Sequence, residues 1–261
     1  MTSVPATAAT GDAAAPAQLQ SVLSALDLLD CFESSDELGV TEVARRLGVA
    51  KSTAYRLLTT LCARGVVQRI PDTGHYRLGL HLWELGQLVQ DRVPLRHVAL
   101  PLLEELRLRT GHTAHLSIAD GPDVVFLERL QALSGIALFG ERRRRMPLHT
   151  TSAGKVLAAF NPQVAQARVD AGFPALASHT ITSAEQWEGC LADIRRRGFA
   201  VSDSENMEGL ASIAAPVIDT SGLAVAAVSI AGPSSILRDS SDRHTRVVVV
   251  TALRIGRKLG G

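Results

Sequence analysis

The 261-residue sequence predicts an α+β chain of two domains: a small helical unit closed by a hairpin, then a larger unit of antiparallel strands and helices. Three observations predict it. The length exceeds that of an ordinary single domain. Leucine spacing is helical up to residue 64, and two short strand patterns around Pro71-Asp72-Thr73-Gly74 follow it. Beyond Pro94, helical stretches alternate with strand pairs joined by Asp- and Gly-containing turns.

Composition narrows the classes. A 46% hydrophobic share, 20% charged residues and a net charge of +1 exclude wholesale disorder. No apolar run reaches the roughly 20 residues that would cross a bilayer, so no integral membrane protein is expected. Residues 1–17 have neither a basic start nor a continuous apolar stretch; their Ala/Thr/Pro content predicts a disordered arm, not a secretory signal. Cys31, Cys62 and Cys190 are odd in number and far apart, which argues against a disulfide framework or cysteine-built zinc site and for a reducing cytoplasm. An aromatic content of 4% disfavours a stacking platform for single strands.

The first domain is expected over residues 18–79. Leu19, Val22, Leu23, Leu26, Leu29 and Phe32 recur at helical steps and give an amphipathic helix ending near Glu33-Ser34-Ser35. Thr41 is the expected N-cap of a second helix with Val43, Ala44 and Leu47 inside, stopped by Gly48. A third runs from Lys51 to Arg64 with Ala54, Leu57, Leu58 and Leu61 inward, ended by Gly65. Two short helices joined near Gly48 are a helix-turn-helix. The stretches 66–70 and 75–78 form a hairpin behind it, a wing.

Charge lies unevenly over this unit. Residues 18–38 carry five acids and no Lys or Arg, whereas residues 39–79 carry Arg45, Arg46, Lys51, Arg56, Arg64, Arg69 and Arg77 against Glu42 and Asp72. A local basic excess marks a phosphate-backbone partner. Lys51, Ser52, Thr53, Tyr55 and Arg56 stand at or near the start of the third helix, where this motif meets base edges in the major groove. Arg69, His75 and Arg77 on the wing would reach phosphate or the minor groove. The alternative is a three-helix protein-binding module with a basic face.

The stretch GVTEVARRLGVAKSTAYRLLTTLCARGVVQR, followed by HYRLG, resembles the DNA-binding half of the IclR family of bacterial transcriptional regulators, with KSTAYRLLTTL carrying most of the likeness. Residues 80–93 continue a helical pattern through Leu80, Leu82, Leu85, Leu88 and Val89, and Pro94 starts a new helix. The resemblance makes 80–93 a linker helix that contributes to dimerisation; an ordinary fourth helix of the first domain reads equally well.

The second domain is expected over residues 94–261. A helix ends at Gly111. Strands follow at His112–Ile118, Val124–Leu130 and Ile136–Phe139, and a helix starts at TSAGK (151–155). Ser183 to Gln186 has capping-box spacing for a helix closed by Gly198. Three more strands are read at Phe199–Ser202, Ser212–Ile218 and Leu223–Ala231, then a final helix capped at Ser240–Ser241 and running to Leu259, although Val247–Val250 favours a strand. MPLHTTSAGKVLAAF, RRGFAVSDSENMEG and SIAAPVIDTSGLAVAAVSIAGP again resemble the IclR family, so the likeness spans about residues 18–259.

The resemblance implies a GAF-like antiparallel-sheet domain whose effector sits between the sheet and the TSAGK loop. Ser152, Ala153 and Gly154 would offer backbone N–H groups at a helix start, suited to a carboxylate; Ser202, Asp203, Ser212 and Ser229 border that loop and could fix a small polar ligand. Relatives binding small acids carry Asp, Cys and Ser where this chain has Ser202, Ser212 and Ala231. A larger or less acidic effector is therefore equally open. The family further implies a double-stranded DNA operator with inverted-repeat symmetry, self-association as a dimer or dimer of dimers, and no membrane.

Other constellations point to no metal, cofactor or catalysis. His112 and His115 fall on opposite faces of a strand with no carboxylate cluster beside them. Cys190 sits mid-helix as a buried, inert thiol, and His149 and Lys155 lack a nucleophile motif. The run Glu141–Arg145 reads by default as a solvated face, with a subunit contact or a secondary DNA contact as the alternatives. Phosphate-cradling glycine loops are absent. A DNA-binding protein whose second domain only oligomerises, and an enzyme on a GAF-like scaffold, stay open.

Overall fold

The computed structural model describes residues 19–90, 94–132, 144–239 and 241–260. The chain divides into two compact units at Gly86/Gln87. The expected arm (1–17) and the strand expected at 136–139 lie outside the described residues.

The first unit contains α1 (Gln20–Asp30), a 3-10 helix (Cys31–Ser34), α2 (Val40–Leu47), α3 (Lys51–Ala63), and a hairpin of β1 (Val67–Arg69) and β2 (Tyr76–Leu78). Leu38 adds a bridge to Tyr76 beside the hairpin. Leu28, Phe32, Val43, Ala54, Leu58, Val67 and Tyr76 make one core that fixes α3 against the wing. The turn from α2 to α3 depends on Gly48, whose φ of 65° is left-handed. Thr41 does not cap α2, because that helix begins one residue before it, with Gly39 at the N-cap. Next comes α4 (Leu80–Gln90), within which the unit boundary falls.

The second unit runs α5 (Pro94–Thr110), β3 (Thr113–Asp120), β4 (Asp123–Leu130), β5 (Arg145–Pro147), α6 (Ser152–Ala159), α7 (Pro162–Ala171), α8 (Ala184–Arg197), β6 (Ala200–Asp203), β7 (Leu210–Ile218), β8 (Ala224–Pro233), α9 (Ser234–Asp239) and α10 (Ser241–Leu259). The six strands form an antiparallel sheet in the order β5-β4-β3-β8-β7-β6. Alternation along the strands sends Leu116, Ile213, Val228 and Ile230 to a core with α5 and α10. The opposite set, with Phe126, Ala200, Ala214 and Ala227, packs on α6 and α8.

Val247 and Val248 are helical despite their strand propensity, because α10 buries them on the sheet. Helix α7 escaped the sequence reading although its start signal is present: Asn161 Oδ1 accepts from the N–H of Gln163 (3.2 Å) and Val164 (3.4 Å), with Pro162 at the first helical position. The Ser183 cap accepts from the Gln186 N–H (3.2 Å), but the Gln186 side chain reaches the amide of Thr182, not Ser183. Arg144 and Arg145 are exposed, as a solvated run would be, but each is also tied to the sheet. Arg144 donates to the carbonyls of Phe126 and Leu127, and Arg145, in β5, pairs with Asp120. Residues 141–143 lie outside the described residues.

Candidate nucleic-acid interface and ligand site

Helix α3 buries Ala54 and Leu58 and turns Lys51, Ser52, Thr53, Tyr55 and Arg56 outward. Tyr55 is 53% exposed. Among the described residues no side-chain hydrogen bond holds Ser52, Thr53, Tyr55 or Arg56, so their polar groups face solvent. Thr59 shares this face and was missed by the sequence reading. Its signal was spacing, four residues after Tyr55 and seven after Ser52. Thr53 and Arg56 also line a groove of about 610 Å³ whose other wall is α1, with Val22, Ala25 and Leu26.

On the wing, Arg69, His75 and Arg77 are exposed. Gln68 and Arg77 are cross-strand partners, and the Arg77 Nε and Nη2 donate to Gln68 Oε1 at 3.2 and 3.1 Å, which holds the guanidinium in place. The His75 ring rests against Gly39.

Two of the basic residues counted in the sequence have another employment. Arg46 donates to Glu42 (2.8 Å), the Cys31 carbonyl (2.6 Å), and the Ser34 and Ser35 hydroxyls (both 3.0 Å), bracing α2 against the 3-10 helix. Arg45 grips the same Glu42 at 2.6 and 2.9 Å, and the hydrogen bonds from Arg45 and Arg46 pull that carboxyl down to about 2. The charge excess was real, but part of it serves the fold.

In the second unit, Ser152, Ser202 and Ser212 do come together. Ser202 and Ser212 are opposite one another across β6 and β7. Ser152 Oγ donates to Ser212 Oγ at 2.7 Å, and Ser202 Oγ to the Thr150 carbonyl at 3.1 Å. Ser229 lies on the same sheet face two rows on, opposite Ala214 and His115. Asp203 does not join them. One residue beyond Ser202, it lies on the other face of β6 and accepts from the hydroxyls of Ser204 (3.1 Å) and Ser234 (2.6 Å).

Gly154 also departs from the expected role. Its N–H is taken by the Thr151 side chain at 3.0 Å. A Cβ there would stand 2.2 Å from the Leu148 carbonyl oxygen, so the missing side chain makes room for backbone, not for a ligand.

Lys155 is 3% exposed, and its Nζ donates to both Glu205 oxygens (2.6 and 2.7 Å) and to the Val201 carbonyl (2.7 Å). All three ammonium protons are engaged inside the fold. Burial pushes the Glu205 carboxyl up against the opposing pull of Lys155. The loop that carries Glu205 is fastened further by Thr180 Oγ1 on the Glu205 carbonyl (2.6 Å) and Asn206 Nδ2 on Thr150 Oγ1 (2.9 Å). His149 is fully buried, hydrogen-bonded to the Pro174 carbonyl at 3.1 Å, with its pKa lowered chiefly by burial. Burial likewise raises the Cys190 thiol. His112 packs edge-on to His244 at 4.9 Å and His115 lies beside Phe126 at 4.9 Å, so the two histidines have separate environments.

An exposed recognition helix with a basic wing, followed by a sheet domain with a buried polar face, defines a class: helix-turn-helix transcriptional regulators. Residues 21–71 match the IclR helix-turn-helix domain, and residues 87–257 match the C-terminal domain described as bacterial transcriptional regulator IclR C-terminal. The HTH-type transcriptional regulator XynR of Escherichia coli K12 is 34% identical over 93% of this chain and 98% of its own length. The regulator KdgR of the same organism is 32% identical over 94% of each chain. Among solved structures, IclR of Thermotoga maritima superposes with a TM-score of 0.74 at 29% identity, covering 92% of this chain and 99% of its own. An IclR homologue of Microbacterium hydrocarbonoxydans complexed with 4-hydroxybenzoate gives 0.80 at 26% identity, covering 92% and 98%. The chain belongs to the IclR family of bacterial transcriptional regulators.

Proposed function

We propose that the winged unit, about residues 18–79, reads an inverted-repeat operator as part of a two-fold assembly, and that the unit from about residue 94 onward binds a small-molecule effector. The carrying observation is the outward stripe Ser52–Tyr55–Arg56 on α3: polar side chains held ready for base edges without a structural task of their own. Lys51 and Thr53 flank it, while Arg69, His75 and Arg77 supply contacts to phosphate. Two copies of α3 would enter successive major grooves roughly 34 Å apart.

Self-association is supported by α4, which leaves Leu80, Trp83, Leu85, Leu88 and Val89 exposed, Trp83 at 65%. A helix so apolar on most sides is stable in water only when covered. A second copy, covering both α4 and the exposed Leu19, Val22 and Leu26 of α1, meets that need and gives a dimer or dimer of dimers.

The effector is placed against Ser152, Ser202, Ser212 and Ser229, with Ala153 beside them. Ser212 is only half-buried, which gives a route inward. The relative that binds 4-hydroxybenzoate supports a site for an organic molecule of that size. The protein acts in the cytoplasm as a regulator and not as an enzyme, and it works through population shift: the effector favours one arrangement of the DNA-binding units. No helix among the described residues is long and apolar enough to cross a membrane.

Genomic footprinting of the full chain tests the first half. Protection of one inverted repeat supports the proposal, and indifference to every duplex at low salt overturns it. A metabolite panel read by melting temperature tests the second half, because a ligand for the folded state raises it. Compounds that raise it and also release the operator are the effectors expected.

A further inference from the structure

The outward face of α3 changes character along its length. Ser52, Tyr55 and Arg56 offer polar groups, whereas Thr59 Oγ1 donates its proton to the Tyr55 carbonyl at 2.8 Å and Thr60 Oγ1 does the same to Arg56 at 2.8 Å. With the hydroxyl proton committed to the helix, Thr59 has no donor to extend to a base and shows solvent its γ-methyl group. At about 1.5 Å per residue, Thr59 lies about 12 Å along the axis from Lys51. That is about two turns in, on the face that carries Ser52 and Tyr55. Ala63, also exposed, lies a further turn on.

We propose that Thr59 is a specificity-determining residue that reads thymine through its 5-methyl group, so each operator half-site carries a T at the inner limit of the recognition helix. This inference rests on α3 being the recognition helix. With its donor spent, Thr59 keeps an acceptor oxygen, drawn in toward the Tyr55 carbonyl, and a γ-methyl group; the apolar major-groove feature of the four bases is the thymine methyl, which a methyl-to-methyl contact would read. The polar half of the stripe distinguishes hydrogen-bonding edges, and the Thr59 turn adds a contact to the thymine methyl, a feature that hydrogen bonds do not read.

The test uses the full-length protein on its footprinted operator, with each thymine in turn replaced by deoxyuridine, which removes only the methyl. Binding is measured for the native chain and for Thr59→Ser, which keeps the back-bonded hydroxyl and loses the methyl. At one symmetric position the native protein loses about fourfold per half-site, or about fifteenfold for both, the loss expected for one buried methyl group. Thr59→Ser loses the same on the unmodified operator and nothing more on that deoxyuridine operator. Equal loss in both proteins at every thymine, or an operator indifferent to Thr59→Ser, overturns the proposal while leaving α3 in the groove. If Arg56→Ala also leaves the footprint unchanged, the recognition-helix reading falls instead.

Discussion

The polar residues of the two units do different work. On α3, Ser52, Tyr55 and Arg56 stand in water with no intramolecular task. On the α6 side of the sheet, Ser152, Ser202, Lys155, Glu205 and Asn206 are each spent on another part of the fold. An exposed reader can be changed at little cost to stability, since its partner is outside the molecule. A buried network cannot, since every loss strands a group cut off from water.

The sharpest way to break that contrast is Lys155→Ala. It leaves the Glu205 carboxylate buried without its ammonium partner, and a loss of about 3–5 kcal/mol is expected in the second unit. Denaturant unfolding of the full chain checks it. A change below about 1 kcal/mol would mean that water replaces Lys155 freely.

Acidification comes next. Burial lowers the pKa of His115 to about 3 and also depresses His112, His149 and His244. The unfolded chain takes up these protons near pH 6.5 and the folded one does not, so stability is complete above that pH and declines as pH falls below it. His115 alone accounts for about 2 kcal/mol between about pH 7.5 and about pH 5. Melts across that window should flatten in His115→Phe; a slope that persists unchanged would move the effect to other groups.

In the first unit the effects should be on DNA and not on the fold. Arg56→Ala should cost about 1–3 kcal/mol of discrimination at one base pair. Its melting temperature should stay within experimental scatter, because exposed side chains away from caps and networks contribute little. The smallest effect belongs to Arg69→Ala on the wing. It should weaken binding to all sequences alike and reduce the salt slope by about 0.9. A sequence-dependent effect of Arg69→Ala would promote the wing from a phosphate contact to a base reader.

The sequence was most legible where periodicity and punctuation coincide. Leu26, Leu29, Leu57, Leu58 and Leu61 mark helices, Gly48 and Gly65 end two of them, and Pro71-Asp72-Thr73-Gly74 turns the wing. The outward set on α3 is also a consequence of spacing, because Ala54 and Leu58 fix the inner face and leave the other to solvent. It failed where a residue's meaning depended on a distant neighbour. Arg46 reads as a cation for DNA until the Cys31 carbonyl and the Ser34 and Ser35 hydroxyls are seen around it. Gly154 reads as a backbone N–H offered to a ligand until the Thr151 side chain is found taking it, with Leu148 packed against the same residue. Asp203 reads as a pocket carboxylate, but strand alternation and Ser234 turn it the other way.

By itself the sequence determined most of the helices and hairpins, the order of the two units and the residues α3 shows to solvent, because helix and turn preferences act between residues close in the chain. Tertiary structure alone decided that Ser152 meets Ser212 across sixty positions, and that Lys155 is sealed with Glu205. Those outcomes depend on which surfaces meet, and burial can outweigh any local preference once a sheet is there to cover.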